Sequence, residues 1–281
     1  MNSSQTKVRP SIADKRRAFR ALHESGCFVI PNPWDVGSAL YLQHLGFKAL
    51  ATTSSGFAWS IGQADGRISR DAALAHLHGM VTATDVPMNA DFENGFATDA
   101  AGVGESVRLA LQSGVAGISI EDSTGDPQRP LFELDEAVAR LRAARKAIDS
   151  AGGDALLVGR AECYLVGRPV LTETINRLKA YAAAGADCLY APGLRTREDI
   201  AAVVKAVAPK PFNLLVGWPS DLTVKEIEAL GVRRISVGGA LARCAWGGFI
   251  RAARSLAGEG TFTAFSEAAS GNELNVLFQS R

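Results

Sequence analysis

The sequence predicts an α/β fold, a (β/α)8 TIM barrel with an additional C-terminal helix, and two observations carry this prediction. First, eight short apolar or β-branched segments alternate with longer segments of helical periodicity, as parallel strands joined by helices do. Second, a length of 281 residues with 47% hydrophobic residues fits one large core better than two. We therefore interpret residues 1–281 as a single barrel domain.

The predicted strands lie at 27–30, 49–53, 88–91, 117–120, 156–159, 188–190, 212–216 and 234–237. The predicted helices include 71–84, 100–112, 135–150, 171–184 and 197–206. Glycines mark the joints between a helix and the next strand, where the chain commonly turns through a left-handed conformation: Gly46, Gly114, Gly185 and Gly231. The recurrence of this joint indicates repeated barrel units rather than a ligand-binding motif.

Both ends of the chain extend beyond the predicted barrel. Residues 1–12 are polar and lack the apolar segment of a secretory signal, so we expect a flexible arm. Residues 258–281 are expected to form a helical oligomerisation segment, in which the helical stretch 262–278 carries Phe262, Phe265, Leu274, Leu277 and Phe278. That much apolar surface after a complete barrel requires a partner, for which we favour a second subunit over the chain's own barrel.

Composition excludes several classes of function. The net charge of +1 does not indicate a nucleic-acid-binding surface, and no apolar run approaches the ~20 residues of a membrane span. The four cysteines are far apart and show no zinc-ligand spacing, which favours a reducing, cytoplasmic location. The sequence contains neither the GxSxG motif of serine hydrolases nor a Walker loop. We therefore expect a small-molecule partner, and neither nucleic acid nor membrane.

Acidic residues cluster at the predicted carboxyl ends of strands 2 to 5, where barrel enzymes carry their chemistry. They are Asp65, Asp91, Glu93, Glu121, Asp122 and Glu162. Crowded carboxylates in a cleft require protons or a cation. Oxygen ligands without His or Cys predict Mg²⁺, with Mn²⁺ as a possible substitute. The spacing of Asp91 and Glu93 would place both on one side of a strand. The alternative is that each acid only caps the following helix.

Other polar residues follow the same strand ends. Arg160 is suited to a bidentate grip on a substrate carboxylate, although an ion pair with Glu162 or Glu121 is the alternative. The predicted substrate-binding residues are Thr53, Ser54, Ser55, Gly56, Asp91, Arg160 and Trp34. The hydroxyls and backbone N–H groups of 53–56 could cradle an anion, although an ordinary Ser/Gly loop would look the same.

These residues resemble the isocitrate lyase/phosphoenolpyruvate mutase superfamily over almost the whole chain, from about residue 30 to 239. The most specific stretches are 53–56, 90–96, 120–122 and 159–162. Members cleave or form C–C or P–C bonds next to a 2-oxo acid, using Mg²⁺ and an enolate-like intermediate. The resemblance also implies a dimer or dimer of dimers in which the last helix is exchanged between subunits.

Carried over by motif, the resemblance implies a role for each acidic residue of the site. Asp91 resembles the principal metal ligand, and Glu93 and Glu121 the acids that hold metal-bound water. Asp65 resembles the loop acid of the outer shell. Ser54 and Ser55 fall where backbone amides hold the substrate carboxylate, and Arg160 resembles the substrate-anchoring arginine. We therefore predict Arg160, Glu121 and Asp65 as catalytic, and Asp91, Glu93 and Glu121 as the metal site.

The chain departs from the superfamily pattern at two places. The loop after strand 4 reads DSTGDPQRP over 122–130, without the cysteine of the isocitrate lyases or the lysine of the mutases. Gly238-Gly239-Ala240 stands where the oxaloacetate-decarboxylating branch carries a histidine near the end of strand 8. The chain thus resembles a divergent subgroup, often labelled by similarity to carboxyvinyl-carboxyphosphonate phosphorylmutase.

The resemblance and the acidic cluster together predict an Mg²⁺-dependent lyase. It would cleave a C–C bond adjacent to the oxo or hydroxy group of a small carboxylic acid through an enolate. Two alternatives stay open at this point. One is a P–C bond enzyme, either a mutase or a phosphonopyruvate hydrolase, and the other is a barrel that binds a metabolite without turning it over.

Overall fold

The computed structural model describes residues 8–279 and contains eight strands, each within two residues of its predicted bounds. They are β1 (Phe28–Ile30), β2 (Leu50–Ala51), β3 (Met88–Asp91), β4 (Gly117–Glu121), β5 (Leu156–Arg160), β6 (Cys188–Tyr190), β7 (Phe212–Leu215) and β8 (Arg234–Ser236). The strands pair in parallel in the order β1-β8-β7-β6-β5-β4-β3-β2. Between β1 and β2 the Ala51 N–H donates to the Pro31 carbonyl at 3.1 Å. The predicted TIM barrel is confirmed.

The helices surround this barrel and continue past it. They are α1 (Ile12–Leu22), α2 (Val36–His44), α3 (Ser54–Ser60), α4 (Arg70–Ala83), α5 (Ala100–Gln112), α6 (Leu134–Ser150), α7 (Leu171–Ala183), α8 (Arg197–Val207), α9 (Val224–Ala229), α10 (Ala240–Glu259) and α11 (Gly271–Gln279), with a 3-10 helix at Thr263–Glu267. Side chains that accept a backbone N–H begin many of them, including Ser11, Asp35, Thr53 and Asp99. The four glycines predicted at helix–strand joints all have φ between +87° and +102°.

Alternation along the strands gives the barrel interior two polar layers. Because side chains two residues apart on a strand share a face, Asn89 and Asp91 of β3 both point inward. The same holds for Ser119 and Glu121 of β4, and β8 contributes Arg234 below Ser236. Apolar residues fill the barrel's lower end, where Phe19 of α1 is completely buried. The site is therefore an open polar upper half above a packed apolar base.

The two ends of the chain differ in part from expectation. Of the predicted arm 1–12, residues 1–7 lie outside the described residues. Within the rest, Arg9 forms an ion pair with Asp85 at 2.5 Å, and Ile12 begins α1. The prediction of continuous helix over 262–278 was wrong, because the extended residue Ala268 separates the 3-10 helix from α11. None of the helices within residues 8–279 is long and apolar enough to span a membrane.

The C-terminal segment makes contact with its own barrel and still exposes apolar side chains. The Phe278 ring lies 3.7 Å from the position that a Cβ on Gly37 of α2 would occupy. Even so, Phe262, Phe265 and Phe278 keep 65%, 52% and 40% of their surface exposed. This surface therefore contacts the chain's own barrel and also leaves apolar area for a second subunit. Exchange of the last helix between subunits remains a prediction.

Candidate active site

A cavity of about 170 Å³ opens at the carboxyl ends of the strands. Its lining includes five of the seven predicted substrate-binding residues and the predicted catalytic residue Asp65; the five are Thr53, Ser54, Ser55, Asp91 and Arg160. A volume of this order suits a ligand of a few carbon atoms, since drug-sized ligands occupy pockets of about 300–1,000 Å³. The cavity is thus at the place where barrel enzymes bind small substrates.

Arg160, at the end of β5, is the centre of the acidic cluster. Its Nη1 lies 3.0 Å from Asp91 Oδ1 and 3.2 Å from Glu121 Oε2, and its Nε donates to Glu162. Burial disfavours its charge, but Glu121 and Glu162 outweigh that effect and hold the pKa of Arg160 above its usual value. The ion pairs considered as an alternative therefore exist. They leave Nη2 without a hydrogen bond among the described residues, so one edge of the guanidinium is still available to a ligand.

Asp91 ends β3 and is tied to the first turn of α3. Its Oδ2 accepts hydrogen bonds from the backbone N–H of Ser54 at 3.0 Å and from the Ser54 hydroxyl at 3.1 Å. Its own N–H donates to the Thr52 hydroxyl at 2.9 Å. The backbone N–H of Ser54, which the resemblance assigns to the substrate, therefore serves Asp91 in this structure. These bonds fix the carboxylate at the cavity wall.

Glu93 is held in an unusual backbone conformation next to Asp91. Its φ of +46° lies in the left-handed region, which a non-glycine residue rarely adopts. The expectation that strand alternation aligns Glu93 with Asp91 was wrong, because β3 ends at Asp91. The two carboxyl groups are nonetheless coupled. Burial, followed by the charges of Asp91 and Asp65, raises the pKa of Glu93 to about 8. Its Oε1 is buried without a hydrogen-bond partner.

The remaining acids of the cluster also favour protons in the absence of a cation. Burial raises the pKa of Glu121 well above its ordinary value, although the Arg160 charge opposes the shift. Burial raises the pKa of Glu162 in the same way. Asp65 lies at the exposed rim, where lost hydration and the nearby Asp91 charge raise its pKa. Five carboxyl groups thus surround a single arginine, and the cluster has room for further positive charge.

Asp122 does not belong to this cluster, contrary to expectation. Because it directly follows Glu121, the last residue of β4, its side chain points out of the barrel toward α7. It accepts hydrogen bonds from the Tyr181 hydroxyl and from Arg177 Nη1 at 3.1 Å. Its Oδ1 accepts the backbone N–H of Glu162 at 2.8 Å. Asp122 therefore positions the loop that carries Glu162 and does not line the cavity.

Two predicted substrate-binding residues, Trp34 and Gly56, do not line the cavity. Trp34 lies beside Trp246 and Phe249 of α10, in a separate surface hollow. Gly56 allows close packing there, since a Cβ at this position would lie 2.9 Å from the Trp34 Cβ and 2.7 Å from a Thr53 methyl group. The absence of a side chain at Gly56 thus allows α3 to pack against Trp34 and does not serve a ligand.

Several cavity residues were not singled out from the sequence. They are Asn32, Asn89, Ser119, Tyr190, Arg234 and Ser236. The Tyr190 ring centroid lies 5.0 Å from the Arg160 guanidinium carbon, and burial raises the pKa of its hydroxyl to about 12. For Asn89, Ser119 and Arg234 the signal was a polar residue two positions before a strand end, because such residues share the inward face. Tyr190 and Ser236 are themselves the last residues of their strands, and Asn32 follows β1.

The residues of the cluster fit the divalent cation that the sequence predicts. Within residues 8–279, no three His, Cys, Asp or Glu side chains are already gathered as a complete ligand set. Mg²⁺ needs only one or two direct carboxylates and keeps several waters. The unpartnered Oε1 of Glu93, beside Asp91 and Asp65, supplies an oxygen of that kind. None of the six predicted acids is the N-cap residue of a helix in the described chain, so the helix-cap alternative fails.

Comparison with known proteins finds relatives that are similar to this chain over most of its length. An uncharacterized protein of Mycobacterium tuberculosis is 32% identical over 224 residues, which cover 79% of this chain and 81% of that protein. Oxaloacetate decarboxylase of Paraburkholderia xenovorans is 30% identical over 218 residues, covering 74% and 70%. A solved structure from Burkholderia cenocepacia J2315, described only as a lyase/mutase, is 47% identical with a TM-score of 0.93, covering 96% and 98%.

The family comparison covers most of the barrel. The model of the phosphoenolpyruvate phosphomutase family matches residues 19–257, from within α1 to near the end of α10. This span contains every residue of the acidic cluster and of the cavity. The chain is therefore a member of the phosphoenolpyruvate phosphomutase family, within the isocitrate lyase/phosphoenolpyruvate mutase superfamily of lyases and mutases.

Proposed function

We propose that this protein is an Mg²⁺-dependent lyase that cleaves a C–C bond next to the oxo or hydroxy group of a small carboxylic acid. The observation that carries the proposal is the charge imbalance around Arg160, where five carboxyl groups lie near one arginine and two of them, Asp65 and Asp91, line the cavity. A divalent cation would relieve that imbalance. The small cavity supports a substrate of a few carbon atoms.

The residues present divide into those that would hold the cation and those that would hold the substrate. Asp91 and Glu93 would bind Mg²⁺, with Glu121 and Asp65 holding its water molecules. The bound ion would supply positive charge that stabilises an enolate as the neighbouring bond breaks. Arg160 would donate from Nη2 to a substrate carboxylate. Once the cation offsets part of the acidic charge, Arg160 would also be less tightly held by Asp91.

The fixed geometry of the site would contribute orientation. Ser54 and Thr52 hold Asp91 in place, and Asp122 holds the loop of Glu162 through its backbone N–H. Such pre-positioned groups lower the barrier because they need no reorganisation during the reaction. We expect the loop 123–132 to close over the cavity and exclude water.

The choice of a C–C bond over a P–C bond rests on the relative from Paraburkholderia xenovorans, which is an oxaloacetate decarboxylase. The loop after β4 favours neither class, because residues 122–130 lack both the lysine of the mutases and the cysteine of the isocitrate lyases. A P–C enzyme remains the second candidate, since the family is named for a phosphomutase. The third, a metabolite-binding barrel, would bind ligands in the presence of Mg²⁺ without turnover.

The test is a screen for substrate consumption with Mg²⁺ and with EDTA. Oxaloacetate would give pyruvate and CO₂, a methylisocitrate-like acid would give pyruvate and a dicarboxylic acid without an oxo group, and phosphonopyruvate would react with water to give pyruvate and phosphate. The proposal predicts that pyruvate forms from a substrate without a P–C bond, and that it forms only in the presence of Mg²⁺. Release of phosphate would favour the P–C enzyme. Turnover that persists in EDTA would contradict the metal.

We also propose that the protein is a homo-oligomer, a dimer or dimer of dimers, that buries the apolar surface of α10 and the C-terminal segment. Phe249, Phe262 and Phe265 are all more than half exposed in the single chain. Light scattering after size-exclusion chromatography should give a mass of two or four chains. Phe249→Glu should shift that mass toward one chain.

A further inference from the structure

A second arginine lies beneath the site, in the lower polar layer of the barrel. Arg234 begins β8 and is only 2% exposed. Its Nε donates to Asn213 Oδ1 on the neighbouring strand at 2.7 Å. Its Nη1 reaches Asn89 Oδ1 at 3.5 Å, and Asn89 belongs to β3 on the far side of the barrel. The guanidinium therefore spans the interior, and Arg234 lines the same cavity as Arg160.

Both hydrogen-bond partners of Arg234 are neutral amides. An arginine has five N–H donors, and these two bonds satisfy only part of them. Within the described residues no carboxylate lies within ion-pair distance of Arg234, in contrast to the three that contact Arg160. A buried charge without a counter-charge is costly, and proteins normally pair it. The charge of Arg234 thus has no compensation from the chain around it.

The groups packed around Arg234 do not supply the missing charge either. Below it lies His23, whose pKa is lowered to about 3 by burial and by the Arg234 charge, so this imidazole is neutral. Cys188 and Tyr190 face it from β6, and burial raises the pKa of both side chains above the ordinary values. They therefore stay protonated and uncharged near neutral pH. These side chains and the two amides that contact Arg234 are therefore all uncharged near neutral pH.

A glycine in the neighbouring backbone leaves space for one of the amides that contact Arg234. A Cβ on Gly117 of β4 would lie 2.6 Å from Asn89 Oδ1 and 2.7 Å from the Phe19 ring. Glycine at this position therefore lets the Asn89 amide sit beneath the cavity. Asn213 is fixed in turn, since its Nδ2 donates to the Ser236 hydroxyl at 2.9 Å. The amides that orient Arg234 are themselves held in place.

We propose that Arg234 forms an anion subsite at the floor of the cavity, which takes a small oxyanion, either a second acidic group of the substrate or a free anion. Where the anion belongs to the substrate, the inference rests on the proposed function and narrows it to acids with two charged ends. One end would then lie at the Arg160 rim and the other at Arg234. The subsite does not depend on the metal.

The test compares succinate with butyrate, which have the same number of carbon atoms but differ in the second carboxylate. Calorimetric titration should show that the wild-type protein binds succinate about 10-fold more tightly or better, the range of one charged hydrogen bond. Arg234→Met should abolish this preference and leave butyrate binding unchanged. Arg234→Lys, which keeps the charge, should retain part of the preference and serves as the control should the methionine variant melt below the assay temperature.

A second measurement distinguishes a free anion from an acidic group of the substrate. It also tests the anion subsite independently of the proposed metal site. Crystals of the wild-type protein and of Asp91→Asn are soaked in sodium bromide, and the anomalous signal at Arg234 is measured. Bromide at Arg234 in both proteins, without a succinate preference, indicates a free-anion site. A succinate preference that persists in Asp91→Asn without Mg²⁺ indicates the substrate's own second group. The absence of both the bromide signal and the succinate preference would overturn the proposal, whatever the outcome for Mg²⁺.

Discussion

The upper and lower polar layers of the barrel carry opposite charge imbalances. In the upper layer, Arg160 contacts three carboxylates, and further acids lie close by. In the lower layer, Arg234 contacts two amide oxygens and no carboxylate. The two arginines are one layer apart, and the strands that carry them are separated by β6 and β7, with Tyr190 close to both. The rim therefore favours an added cation, and the floor an added anion.

This difference shows how one barrel can separate two kinds of recognition. Crowded carboxylates are stabilised when they bind protons or a metal ion. A buried guanidinium without a counter-charge is stabilised when it binds an anion. Because both layers open into one cavity of about 170 Å³, a ligand could meet both.

The largest effect is expected from Asp91→Asn. The change removes the charge of the residue that we propose as the main metal ligand and keeps its size. Mg²⁺-dependent turnover should fall by about 10³-fold, the scale of losing one electrostatic group in a catalytic site. The matched control is Asp135→Asn, on the exposed first turn of α6, which should leave turnover unchanged. Equal activity of the two variants would exclude Asp91 as a ligand.

Arg160→Met is expected to have the next largest effect, on folding as well as on activity. It leaves Asp91, Glu121 and Glu162 without their shared counter-charge. The free energy of unfolding should fall by about 3–5 kcal/mol, as when one partner of a buried ion pair is removed. Denaturant titration measures the loss. Because a divalent cation would partly replace the missing charge, added Mg²⁺ should recover more stability in this variant than in the wild type. A loss that Mg²⁺ does not affect would argue against a shared acidic cluster.

Gly117→Ala tests the lower layer with a smaller change. The added methyl group would press on Asn89 and Phe19, so the free energy of unfolding should fall by about 1–3 kcal/mol. If Asn89 is displaced, binding of succinate should weaken while Mg²⁺ binding at the rim stays the same. Weakened Mg²⁺ binding of equal size would show that the two layers do not act separately.

Glu93→Gln sharpens the account of the upper layer through pH. The folded-state pKa of about 8 lies above the ordinary value of 4.5, so the folded protein keeps a proton that the unfolded chain releases. The metal-free protein should therefore lose stability as pH rises from about 4.5 to 8. The glutamine variant should lose less, with a melting temperature higher by on the order of 5 °C at pH 8. Identical melting profiles from pH 5 to 8 would mean that Glu93 titrates normally.

The fold and the upper layer could be predicted from the sequence because their signals are local. Strand-end positions follow directly from the alternation of strands and helices, and Asp91, Arg160 and Ser54 all stand at such positions. Glu93 was assigned to the right cluster for the wrong reason, since a left-handed residue after β3, and not strand alternation, holds it there.

The lower polar layer could not be predicted from the sequence because the role of its residues depends on contacts across the barrel. Arg234 stands at the start of a strand, where a charged residue is usually a solvated end. Only the structure shows that it reaches Asn89 on the opposite side. Asp122 was misplaced because it follows the inward-facing Glu121 and points the opposite way, and Trp34 because it packs beside α10.

The account depends most on a divalent cation at the acidic rim, and calorimetric titration of Mg²⁺ at pH 8 tests this most directly. The wild-type protein and Asp135→Asn should each bind one Mg²⁺ per chain, and Asp91→Asn should bind none in the same range. Absence of binding to the wild-type protein, or equal binding to all three proteins, would contradict the central claim.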